Sequence, residues 1–378
     1  MTSPSARVTT LGLASPRSAM LSLSVSCVLV GLIAQGSSYD GVIRPTDDGR
    51  LEAYMIPPKK SNHASFLERL ESGNFVMAWF SGTNEGASNC SIAVAHLNAS
   101  SNQWSAGKVV SWRIGYSNQN PVLFQDNSNG VLHLFHSQQP ASGLQKVCSE
   151  EHAQVWELTD TSGTGYNWSK PQLLFSKYGS FDRNRIILSL SGAWLFPMYY
   201  AGGSSSDQHS ILHVSHDHGK SWDEQEYKDS GHLVQPSVIR PKPDVKYLMT
   251  YFRDRKAEWI YQTTSTDEGE KWTSPSKTKL PNNNSGIQAT VLDSGNIAVV
   301  YNPTNHDRYP LRISLSEDEG KTWKYSRDLE TGNSGNEFSY PTLLQSPDGF
   351  IHVSYTYNRD TIKYAKFKED WVKAGSNI

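Results

Sequence analysis

An octapeptide of the form Ser-x-Asp-x-Gly-x-(Ser/Thr/Lys)-Trp occurs three times at nearly constant spacing, which confines the chain to a repeat architecture. The copies are Ser215, Asp217, Gly219, Ser221, Trp222; Ser265, Asp267, Gly269, Lys271, Trp272; and Ser316, Asp318, Gly320, Thr322, Trp323, with tryptophans 50 and 51 residues apart. Turn chemistry accounts for every fixed position: Gly takes the tight turn, Asp and Ser hydrogen-bond backbone amides, and Trp packs beneath the hairpin. The box is therefore fold punctuation. Trp104 and Trp168 close the polar stretches NASSNQW and TSGTGYNW, which read as two degenerate copies.

Upstream of each box lies a second repeat, an apolar run, a turn and another apolar run ending in aromatics. Six copies begin at ASFLERL, PVLFQDN, RIILSLS, PSVIRPK, IQATVLD and YPTLLQS, and each reads as a β-hairpin. A third strand follows every hairpin: SIAVAHL, QVWELTD, ILHVSHD, IYQTTST, LRISLSE and IKYAKF. The last copy lacks a fourth strand, so the segment around LEAYMIP is expected to complete that sheet and close the ring. The fold class expected is all-β, a six-bladed β-propeller over residues 40–370, with 371–378 as a C-terminal tail.

Residues 1–36 contain no acid, and Arg7 and Arg17 precede the apolar run Met20 to Ala34, so this segment reads as a signal peptide and the chain as secreted. No stable membrane insertion is expected after its removal. Cys27 would leave with it, leaving Cys90 and Cys148, whose pairing the sequence does not decide. Asn-x-Ser sequons at Asn89, Asn98, Asn167 and Asn283 agree with secretion. With 35 basic and 37 acidic residues there is no net field to hold nucleic acid, so an anionic ligand must be held locally.

At its boxes and hairpins the chain resembles the sialidase (neuraminidase) superfamily over residues 50–370. The resemblance implies a hydrolase acting on terminal residues of acidic glycans, with arginines on the sugar carboxylate, a tyrosine nucleophile backed by a glutamate, and an aspartate as general acid. TYFRDR and YNPTNHDRYPLRISLSEDEG place Arg253 and Arg308 where family arginines lie, and GNEFSYPTLLQSPDGF puts Tyr340 in the nucleophile's place. A neutral phenol avoids the repulsion that a carboxylate nucleophile would meet beside a substrate carboxylate. Three positions depart from the family: His63 stands where the first blade carries its arginine, Gln235 where the fourth carries its glutamate, and Glu85 in SGTNEGASNCS is the nearest acid to the missing aspartate. Gln cannot accept a proton in the glutamate's role.

Asn120, Arg183, Asn284, Glu337 and Arg359 fall at strand ends on the same side and suit hydroxyl and carboxylate contacts, while Trp79, Phe80, Tyr251 and Tyr355 are candidates to stack on sugars. His216 and His218 flank a box aspartate without further ligands at metal spacing, so no metal or cofactor is expected. Two alternatives remain open: a lyase on uronic-acid polysaccharides with His63 and Tyr340 as base and acid, and a catalytically silent glycan-binding propeller.

Overall fold

The computed structural model describes residues 39–144, 149–202 and 207–375. The expected signal peptide, Cys27 and Cys148 lie outside them. Cys90 is buried, with its thiol donating to the Asn84 carbonyl at 2.9 Å.

Six antiparallel sheets follow one another. Blade 1 contains β3 (Ser61–Arg69), β4 (Phe75–Gly82), β5 (Ser91–Leu97) and β6 (Lys108–Ser111); blade 2 contains β7 (Tyr116–Gln125), β8 (Leu132–Pro140), β9 (Gln154–Asp160) and β10 (Gln172–Phe175). Blade 3 contains β11 (Ser180–Asp182), β12 (Ile187–Leu188), β13 (Trp194–Tyr200), β14 (His209–Ser215) and β15 (Asp223–Glu226). Blade 4 contains β16 (Leu233–Ile239), β17 (Leu248–Asp254), β18 (Trp259–Ser265) and β19 (Ser276–Pro281); blade 5 contains β20 (Gln288–Val291), β21 (Ile297–Tyr301), β22 (Leu311–Ser316) and β23 (Tyr325–Glu330). Blade 6 contains β24 (Phe338–Gln345), β25 (Phe350–Tyr357) and β26 (Thr361–Lys368), and is completed by β2 (Leu51–Tyr54) and β1 (Arg44–Pro45). β2 pairs antiparallel with β26, so the N-terminal segment closes the ring as its sequence suggested.

Hairpin turn chemistry sets the strand ends, and the boxes join the blades. Ser215 Oγ accepts from the Gly219 amide at 2.8 Å, Asp217 accepts from the Ser221 amide at 2.8 Å, and Trp222 Nε1 donates to the Gly219 carbonyl at 3.0 Å. Gly219 sits at φ +81°, a left-handed conformation that a side chain would strain. Each box tryptophan then packs on the preceding blade: Trp222 on Phe175, Trp272 on Tyr227, Trp323 on Tyr251. Trp104 does the same on Tyr364 of blade 6, so the degenerate copy in blade 1 keeps the inter-blade role.

Two local expectations change. Residues 371–374, read as tail, form the last four residues of a short helix, α1 (Glu369–Ala374), because Trp371 and Val372 bury themselves against blades 5 and 6 and Arg327 stacks 3.9 Å from the Trp371 ring. The first hairpin strand of blade 3 is broken between β11 and β12, where Arg183 and Asn184 turn into the axis. Arg183 donates to the carbonyls of Ser65 and Pro341, and Asn184 to those of Gln235 and Pro236, so polar bonds between blades fill the axis.

Candidate active site

The innermost strand of four blades carries a bulge at one equivalent place: between His63 and Phe66, Gln119 and Val122, Val234 and Ser237, and Ser339 and Thr342. Within each bulge one non-glycine residue adopts positive φ: Ala64, Asn120, Gln235 and Tyr340. Such backbone costs about 1–2 kcal/mol per residue, and it turns these positions toward the axis at one end of the blades. Asn120, Gln235 and Tyr340 each precede a proline that opens the rest of the strand. The connections between the second and third strands of blades 1, 2, 4, 5 and 6 meet at this same end and supply Glu85, Glu150, Arg255, Arg308 and Arg359.

Together they enclose a cavity of about 150 Å³ lined by Glu85, Asn120, Arg253, Arg308, Tyr340 and Arg359, with Arg255, Glu150, Gln119, Phe181 and Tyr199 completing the wall. Arg253 Nη1 donates to the Tyr340 hydroxyl at 2.5 Å and to Gln235 Oε1 at 3.1 Å, and its Nε and Nη2 both donate to Asn284 Oδ1, at 2.9 and 2.8 Å. Gln235 thus orients a guanidinium in the place where the resemblance implied a glutamate. Gly286 lets the ring in: a Cβ there would lie 3.3 Å from Tyr340 and 3.2 Å from Gln235 Oε1. Burial alone would raise the Tyr340 phenol, but Arg253 and Arg308 outweigh it and hold it below its ordinary value.

A chain of ion pairs crosses the mouth. Arg308 donates to Glu337 Oε1 at 2.6 Å, Arg359 donates to Glu337 Oε2 at 2.7 Å, and its Nη1 reaches Glu85 Oε2 at 2.7 Å. Although burial would raise the Glu337 carboxyl, the two arginines keep it low. Around Tyr340 five guanidinium groups, of Arg183, Arg253, Arg255, Arg308 and Arg359, meet three carboxylates, of Glu85, Glu150 and Glu337. The surplus is positive in a chain with almost no net charge, and it favours an anionic ligand.

Several sequence-derived candidates lie beneath the cavity rather than on its wall. Arg183 is fully buried, bonded to two carbonyls, with its guanidinium 5.3 Å from the Tyr340 ring centre; burial lowers it to about 10, so it stays charged and supports Tyr340. His63 is buried with its ring 4.3 Å from that of Tyr340. Its Nδ1 meets Thr356 Oγ1 at 2.9 Å, its Nε2 has no hydrogen-bond partner, and burial followed by the field of Arg359 and Arg308 keeps it neutral. Gln235 and Asn284 act through Arg253, while Glu337 braces Arg308 and Arg359. Trp79, Phe80, Tyr251 and Tyr355 are core residues, each no more than 1% exposed, so no sugar stacks on them.

Residues 73–353 match the BNR repeat-like domain family. The chain belongs to that family. No curated protein matches. Among solved structures, this BNR-repeat protein is similar to an intramolecular trans-sialidase from Ruminococcus gnavus in complex with oseltamivir carboxylate, at 17% identity and TM-score 0.70, over 89% of this chain and 99% of that one. A Dyadobacter fermentans protein of unknown function superposes with TM-score 0.69 at 15% identity, over 86% and 98%. The Hadza microbial sialidase Hz136 does so with TM-score 0.68 at 16%, over 83% and 67%. These likenesses establish the sialidase-like propeller fold.

Sequence reasoning missed Arg255, Glu150 and Tyr199. Arg255 was within reach: it stands two residues after Arg253, in the turn that follows β17. Glu150 carried no periodic signal.

Proposed function

We propose that this BNR-repeat protein is a secreted exo-acting glycoside hydrolase that removes a terminal acidic sugar, with Tyr340 as nucleophile. The observation that carries the reading is the Tyr340 hydroxyl held by Arg253 in a small cavity with surplus positive charge. The enclosed volume suits one sugar ring, which favours attack at a chain end.

In this scheme the substrate carboxylate enters between Arg308, Arg359 and Arg255. By competing for Arg359 it loosens the Arg359–Glu85 pair, which shifts the Glu85 carboxyl upward and favours its taking up a proton. The Tyr340 oxygen, its proton lost under the influence of Arg253 and Arg308, attacks the anomeric carbon. The bond to the leaving oxygen breaks and Glu85 delivers its proton there. Glu85 then takes a proton from the water that cleaves the glycosyl–tyrosine bond, returning Tyr340 as phenolate.

A second reading, elimination on a uronic-acid glycan, draws on two observations: no carboxylate hydrogen-bonds Tyr340 among the described residues, and a neutral His63 packs against its ring. Tyr340→Phe separates catalysis from mere binding. Turnover of fluorogenic sialosides or uronides is expected to fall by at least about a hundredfold with the fold intact, and unchanged turnover would remove Tyr340 from the chemistry. Product absorbance in the ultraviolet distinguishes the two reactions, because only elimination leaves an unsaturated sugar.

A further inference from the structure

The degenerate box of blade 2 departs from the other boxes in a way that fold punctuation does not explain. Its stretch is one residue longer, and Asp160, the last residue of β9, takes the place that serine holds at the ends of β14, β18 and β22. The Asp160 carboxylate accepts from the amides of Ser162, Gly165 and Tyr166 at 2.8, 2.7 and 3.1 Å. That wraps the turn around the carboxylate and leaves the Tyr166 side chain outside, 57% exposed.

The Tyr166 ring lies flat on His96 of blade 1, with centroids 3.8 Å apart and planes at 13°. His96 is itself fixed by a 2.9 Å contact of its Nε2 with the Gly165 carbonyl, and burial keeps it below its ordinary value and hence neutral. A large exposed aromatic stacked on a buried ring borders a cavity of about 300 Å³, whose wall also contains Glu71, Asn74, Asn98 and Gln125. That volume is at the lower end of small-molecule sites, roughly 300–1,000 Å³. Asn74 Oδ1 is used by the Ala99 amide and Gln125 is used by the Glu71 amide and the Gly130 carbonyl. The Glu71 carboxylate and the Asn74 amide N–H groups have no described protein partner and border the open space.

We propose that this cleft between blades 1 and 2 is a binding site for a neutral glycan, with a pyranose ring stacked on Tyr166 and its hydroxyls held by Glu71 and Asn74. An apolar sugar face suits an aromatic plane, and a rim of amides and one carboxylate suits hydroxyl donors and acceptors. Among the described residues no Lys or Arg lines the cleft, which disfavours the acidic sugars that suit the arginine-rich cavity. The two sites are at opposite ends of the blades: β3 and β7 run from the arginine cavity, at His63 and Asn120, to this cleft, at the β3–β4 turn and Gln125. A glycan held here leaves the cavity open, so the protein can be held to a neutral polymer independently of what it cleaves.

The test is calorimetric titration of the full chain, made in a bacterial host that leaves Asn98 and Asn167 without glycans, with cellotetraose, xylotetraose, mannotetraose and N-acetylchitotetraose. Saturable binding of at least one is expected. Tyr166→Ala should weaken it by about tenfold or more, Asn74→Ala, which leaves the ring in place, by severalfold, and Tyr340→Phe should leave it unchanged. Absence of binding to all four, unchanged affinity in Tyr166→Ala and Asn74→Ala, or loss of affinity in Tyr340→Phe would each overturn the assignment.

Discussion

Replacing Arg253 by Met tests how Tyr340 is activated. The substitution keeps an unbranched side chain in the fully enclosed position while removing the donor 2.5 Å from the phenol oxygen and the charge behind it. Burial raises the phenol and Arg253 leads the groups that lower it, so without Arg253 Tyr340 must ionise at higher pH. A hydrogen bond to a charged group contributes about 1.5–3 kcal/mol. At about 1.4 kcal/mol per tenfold, that is a loss of roughly ten- to a hundredfold in any step that needs the phenolate. The assay is two-fold: kcat/KM on an acidic glycoside across pH, and ultraviolet titration of tyrosinate with the Tyr340→Phe trace subtracted. The expected result is a Tyr340 transition at higher pH and a rate loss that shrinks as pH rises. A transition at unchanged pH, or a rate loss independent of pH, would refute activation by Arg253 and leave it as a substrate clamp alone.

Three further outcomes follow from the same contacts. Asp182 is fully buried, and burial pushes it well above the usual carboxylate range against the opposing pull of Ser137 and Arg183. An acid raised by folding favours the native state most below its unfolded value and loses that advantage as pH rises toward its folded value. Asp182→Asn should therefore raise the urea midpoint near neutral pH, by an amount that shrinks toward about pH 4; a gap that does not change with pH would contradict this. In the last box, hydrogen bonds from the Thr322 amide and hydroxyl lower Asp318 to about 2. Asp318→Ala should lower thermal stability at neutral pH without altering turnover, and the deficit should close between about pH 4 and pH 2. Glu337→Gln leaves Arg308 and Arg359 without their shared carboxylate, so it should cost about 1–3 kcal/mol in urea unfolding and weaken catalysis through a higher KM for the acidic substrate.

The ring was legible because its punctuation repeats: three boxes fix the period, six hairpins fix the blade number, and the missing last strand pointed to Leu51–Tyr54. The positions that line the candidate cavity were legible where the chain bends. Asn120, Gln235 and Tyr340 each stand before a proline in an innermost strand, and each is at positive φ. What stayed hidden was depth and partnership. Arg183 looks like any loop arginine in the sequence, yet the break between β11 and β12 turns it into the axis, where carbonyls of blades 1 and 6 accept from its two terminal nitrogens. Pairing of Arg308 and Arg359 through Glu337 joins residues from two blades, and no local pattern encodes that meeting. The helix over Glu369–Ala374 was missed because its burial depends on Arg50 and Arg327, both distant in sequence, stacking on Trp371.

The central claim is that the arginine cavity selects a sugar by its carboxylate. Its most direct test compares turnover of a fluorogenic acidic glycoside with that of the same glycoside as its methyl ester. The arrangement of Arg308, Arg359 and Arg255 predicts cleavage of the acid and loss of nearly all kcat/KM on the ester; equal turnover of both, or turnover of neutral glycosides alone, would contradict it.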